Sequence, residues 1–163
     1  MPKILFIIRL YVGWVWLEAG WGKVTSSSWV GADAGKALSG FVKGSLAQTS
    51  GAHPEVFGWY ASFLSNVILP FAGIWSHIIA YGELLIGTAL ILGAFTAVAA
   101  FFGAFMNFNF MLAGTAGINP ILFLFSIFLI LAWKKVGFLS LDKFIFPYAK
   151  KYYATLRLHT PLR

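Results

Sequence analysis

Apolar positions run along this chain in four long blocks, at about residues 4–24, 74–93, 95–113 and 118–133. Each is apolar and extended enough to be read as a helix lying in lipid, the first carrying Arg9, Glu18 and Lys23. The last is short and is extended by the aliphatic stem of Lys134. Between Val56 and Trp133 the only acidic or basic side chain is Glu83, accompanied by a single histidine, His77. The pattern predicts an all-α integral membrane protein: a four-helix transmembrane bundle with one long external loop between helices 1 and 2.

The connections support that order. Gly93, Ala94 and Phe95 leave so little chain between the second and third blocks that these must form an antiparallel hairpin. Asn119-Pro120 opens the fourth. Residues 25–73 are the one long connection. Their first half, rich in Ser, Gly, Ala and Lys, reads as an irregular lid or linker. In the second half Phe57, Ala61, Leu64 and Ile68 recur at helical spacing, predicting a short helix at the membrane surface that ends at Pro70.

Composition agrees with a bilayer environment: 60% hydrophobic, 18% aromatic, 10% charged and a mean hydropathy of +0.81. The formal charge of +7 is not that of a nucleic-acid protein, because it is concentrated at one end. Residues 134–163 hold seven Lys/Arg and one Asp, directly after the last apolar block. Such a tail marks the cytoplasmic side and favours anionic headgroups. With four spans both termini lie there, residues 1–142 form the membrane domain and residues 143–163 a basic interfacial tail. The absence of cysteine excludes a disulfide framework, a thiolate metal site and a relay through the protein's own thiols.

The candidate chemistry sits on the inner faces of the blocks. Arg9, Gly13, Trp16, Gly20 and Lys23 share one helical face, with a cation at each end. Ser76, Ala80, Glu83 and Gly87 form a matching small-and-polar face, as do Ala99, Gly103 and Asn107. At 1.5 Å per residue, Glu83 and Asn107 lie about 15–17 Å from the cytoplasmic ends, Glu18 and Asn109 some 20 Å, His77 about 25 Å and Arg9 only about 8 Å. A mid-membrane carboxylate costs at least about 2.5–3.5 kcal/mol to insert, so Glu83 is the primary candidate for function, the alternative being a protonated acid that is merely hydrogen-bonded to a neighbouring helix. Two readings fit Lys23: a ligand contact at the outer rim, or a side chain snorkelling to the interface. The asparagines fit interhelical hydrogen bonds or the recognition of a ligand carbonyl, and the glycines fit close helix packing. Glu18 falls opposite Arg9 and faces another helix or a second subunit. One histidine builds neither a bis-histidine haem nor a multi-ligand metal site.

Arg9-x3-Gly13-x6-Gly20-x2-Lys23, followed by Glu83-x3-Gly87-x5-Gly93, resembles the DoxX family of small four-helix membrane proteins. The strings RLYVGWVWLEAGWGK and NFNFMLAGTAGINP are similar to its DoxD-like subgroup, the large membrane subunit of thiosulfate:quinone oxidoreductase, over nearly all of the chain to Asp142. The resemblance implies a prokaryotic plasma-membrane component that passes electrons from thiosulfate to quinone, with a separate small subunit as partner. Under it Lys23 and His77 hold the dianion, Glu83 is the proton carrier, and Arg9, Asn107 or Asn109 bond a quinone carbonyl. Lipid and a second copy of the chain are further expected partners. The family also contains members without thiosulfate chemistry, so a non-catalytic membrane partner of a redox enzyme is the alternative.

Overall fold

The computed structural model describes residues 2–133 and 140–143, and all regular structure among them is helical. The helices are α1 (Pro2–Val24), α2 (Lys36–Ala47), α3 (Gly58–Phe63), α4 (Ala72–Leu92), α5 (Thr96–Leu112) and α6 (Asn119–Leu131). Two helical stretches, Lys3–Val24 and Gly58–Leu92, are long and apolar enough to cross a membrane, and α5 and α6 are shorter apolar helices. The predicted basic tail, Lys143 excepted, lies outside the described residues.

Four helices close into a ring: α1 packs on α4, α4 on α5, α5 on α6, and α6 back on α1. The α1–α4 seam is the most extensive, and its glycines explain why. A Cβ on Gly20 would overlap the backbone of Leu84, and one on Gly87 would overlap Leu17. A Cβ on Gly13 would press on Leu90 and Ile91. As α1 is ascended its partners on α4 descend, so the two helices are antiparallel at backbone contact. The α4–α5 hairpin follows expectation. Gly93 takes a left-handed conformation (φ 66°) to end α4, and Phe95 follows at φ 49°, a conformation few large residues adopt.

Two hydrophobic cores result. One, built from Val12, Trp16, Ile86, Leu90, Ala99, Ala100, Leu122 and Leu129, lies among the four ring helices. The other joins Leu38, Val42, Val56, Tyr60, Leu64, Ile68, Ala72 and Ala113, and seats the segment 25–73 on one end of the ring.

That segment departs from the sequence reading in two ways. Its first half is irregular only over residues 25–35, after which Lys36–Ala47 form a helix that buries Leu38, Val42 and Ser45 at positions i, i+4 and i+7. Gly40 and Gly44, both exposed, dilute that stripe to three residues, and tertiary packing supplies what propensity lacks. Nor does Pro70 end the second helix. From α3 the chain winds through a π turn (Leu64–Ile68) and a 3-10 turn (Leu69–Phe71) directly into α4. Proline sits in the first turn of the 3-10 segment, where its missing N–H costs least, and the Trp75 indole donates to the Val67 carbonyl at 3.1 Å.

Candidate functional site

Candidate polar groups fall into three places along the ring. The first centres on Glu83. Its side chain is 1% exposed, and Lys23 Nζ, from the last turn of α1, donates to Oε2 at 2.5 Å. Close contact at Gly20 brings the two helices near enough for this bond. Lys23 keeps 21% of its side chain exposed and also lies over the Trp29 ring, 5.1 Å from its centroid. Neither the anion-ligand nor the snorkelling expectation for Lys23 included an ion pair to Glu83. Asn107 is buried at a similar level on α5, with neither its amide nitrogen nor its oxygen bonded. The same is true of Trp16 Nε1 and Ser126 Oγ.

The second place is an apolar cavity of about 460 Å³ between α2, the α3–π segment, α4 and α5. Phe41, Phe63, Trp75, Phe102, Phe105 and Phe110 line much of it, and Leu64 and Ile68 of the π turn form part of one wall. Its polar feature is the Tyr60–Asn109 pair. The Tyr60 hydroxyl, 3.0 Å from both the Asn109 carbonyl and Oδ1, donates there, and Asn109 Nδ2 donates to the Phe105 carbonyl at 2.8 Å. Gly82 and Ile86 of α4 also line the cavity, so Glu83 lies on the adjoining face of the same helix.

The third place is at the opposite end. Arg9 is fully buried there, its guanidinium beside Gly93, within 5.2 Å of the Phe6 ring and in the field of Asp142. Asp142 accepts from the backbone N–H groups of Phe95 (2.6 Å) and Thr96 (3.0 Å), capping α5, and Ser140 Oγ donates to the Gly93 carbonyl at 2.5 Å.

The structure therefore divides the predicted constellation. Lys23 and Glu83 meet, Asn107 joins their level and Asn109 lines the cavity. Arg9 belongs to the α4–α5 turn, about three helical turns along α1 from Gly20, the residue that faces Glu83. His77 is half-buried and turns its Nδ1 to the Gly73 carbonyl of its own helix at 2.7 Å. Glu18 is exposed on the outside of α1. Sequence reasoning missed Tyr60, which falls within the predicted surface helix, and Ser126. The signal for Ser126 was present: beyond Asn119 and Pro120 it is the one polar residue in α6. Among the described residues no three His, Cys, Asp or Glu side chains cluster as metal ligands.

The DoxX profile matches residues 4–116, which carry α1 to α5 and all of these groups except Ser126, Ser140 and Asp142. The chain belongs to the DoxX family. It is thus a membrane protein, and the apolar outer faces of its helices, among them Ile7, Trp14, Leu85, Phe101 and Leu131, are suited to lipid. No curated protein and no solved structure matches this DoxX chain.

Proposed function

We propose that this DoxX protein is a multi-pass plasma-membrane component of quinone-linked redox chemistry, with the α2–α5 cavity as its quinone site. In this arrangement α1, α4, α5 and α6 cross the bilayer, both termini are cytoplasmic and residues 25–73 lie outside. The observation that carries the reading is the cavity itself. At about 460 Å³ it is within the usual range for small-ligand sites, and it is apolar and aromatic with one phenol–amide pair to orient a carbonyl. The Tyr60 hydroxyl, released from Asn109, is placed to donate to a quinone oxygen.

In the DoxD-like form of the reaction the donor is thiosulfate or a related sulfur compound. Two thiosulfates lose one electron each and join through a new sulfur–sulfur bond, and the quinone takes up both electrons and two protons. Glu83, one helix face away from the cavity, is the candidate proton carrier. Lys23 links it to the outer side, being bonded to the carboxylate and still a fifth exposed. A separate small subunit would complete the enzyme. A second reading, a non-catalytic partner of a redox enzyme, draws on one fact: Lys23 and Glu83 already neutralise each other.

Purified protein in lipid nanodiscs, titrated with a short-tailed quinone, tests the site through quenching of tryptophan fluorescence, since Trp75 lines the cavity. Saturable quenching is expected. Filling the cavity with Ile79→Trp should weaken binding at least about tenfold, or 1.4 kcal/mol. Equal affinity in the filled variant refutes the site. Thiosulfate-dependent quinol formation then separates the readings: binding without turnover leaves the non-catalytic partner.

A further inference from the structure

The four ring helices each bring one polar side chain within about one helical turn of a common level, and three of the four carry unbonded atoms. The contacts set the levels. Gly20 of α1 faces Leu84, Gly82 of α4 faces Met106, Gly103 of α5 faces Ile86 and Trp16, and Phe108 of α5 meets Phe123 of α6. Around this height stand Trp16 (3% exposed), Glu83 (1%), Asn107 (0%) and Ser126 (0%). Each is buried among the four ring helices. The indole nitrogen of Trp16 is close enough to Gly103 that a Cβ there would lie 3.1 Å from it.

We propose that Trp16, Glu83, Asn107 and Ser126 enclose an internal water-binding site. Buried polar side chains with no protein partner call for one of another kind, and an internal water takes two to four hydrogen bonds. The set supplies both sorts of group: donors from the indole N–H and the Asn107 amide, acceptors from the Asn107 and Glu83 oxygens, and both from the Ser126 hydroxyl. It is neutral overall, because Lys23 balances Glu83, which suits a neutral ligand rather than an ion. Where Glu83 carries protons, a reading that rests on the function proposed above, this water is its exchange partner inside the bundle. The water site itself needs no quinone chemistry.

The Trp16 indole reports on it directly. In nanodisc-embedded protein labelled with ¹⁵N-tryptophan, and with the Trp16 resonance assigned through Trp16→Phe, magnetisation transfer from water to the Trp16 N–H is expected despite its burial. Asn107→Leu should abolish the transfer and Ser126→Ala should reduce it at least about twofold, the other indole resonances staying in place. Ser126→Ala removes a single hydroxyl, so a folding failure of Asn107→Leu leaves the test intact. A Trp16 N–H with no water transfer in the wild type, or transfer unchanged in both variants, overturns the proposal. The outcome is independent of quinone binding and turnover, so failure here and failure of the proposed function are distinguishable.

Discussion

The Lys23–Glu83 bond makes a quantitative prediction about how the bundle is held together. Lys23→Met keeps most of the stem packing and leaves a 1%-exposed carboxyl facing the end of α1 without its cation. Breaking a fully buried pair this way costs about 3–5 kcal/mol. Lys23 is a fifth exposed, so solvent screens part of the interaction and the low end, about 3 kcal/mol, is expected. Glu83→Gln retains an acceptor oxygen for the ammonium and loses only the charge, at about 1 kcal/mol. The double variant has neither charge to strand and should cost about 2 kcal/mol, less than Lys23→Met alone. The resulting coupling is about 2 kcal/mol, and the second substitution restores the folded-to-unfolded ratio roughly fivefold. Reversible unfolding in mixed micelles of a mild detergent and dodecyl sulfate, followed by far-ultraviolet circular dichroism, measures all four corners of the cycle. Additivity within about 0.5 kcal/mol would refute the argument, since groups that do not interact show no coupling.

Other outcomes follow from the same geometry. Gly20→Ala and Gly87→Ala place a methyl against the backbones of Leu84 and Leu17 and should each cost about 1–3 kcal/mol in that assay. Gly22→Ala, with open space around it, should stay within about 0.5 kcal/mol. Asp142→Ala removes the acceptor for Phe95 and Thr96 and should cost about 1–2 kcal/mol, with amide exchange rising first in the opening turn of α5. For topology, single cysteines at Ser27 and Lys143, both exposed, should label from outside and inside respectively, and reversed labelling refutes the orientation. Ser140 is a poor reporter, being 6% exposed and bonded to Gly93.

Much of this architecture is written in local signals. Runs of apolar residues specify helices whatever lies beside them, because in lipid every backbone group must bond within its own segment. The boundaries of α1, α5 and the Gly93 turn follow from that constraint. The isolation of Glu83 and the glycine stripe of α1 were equally plain, since a charge or a missing side chain inside an apolar run is costly or purposeful wherever it occurs. The family too was legible in the spacing from Arg9 to Gly93.

What needed the third dimension was partnership. Lys23 and Glu83 are 60 residues apart, and only the backbone contact at Gly20 brings a rim cation to a mid-bundle carboxylate. The same antiparallel register carries Arg9 to Gly93 and Asp142, at the opposite end from the group it was expected to serve. Helix α2 and the passage through Pro70 are tertiary decisions as well. A three-residue stripe diluted by glycine, and a proline that elsewhere ends helices, are settled by the core around Val56, Tyr60 and Leu64. Sequence periodicity says which face of a helix is polar; which polar groups meet depends on the depth and rotation at which two helices lock, and that is set by packing between residues far apart in the chain.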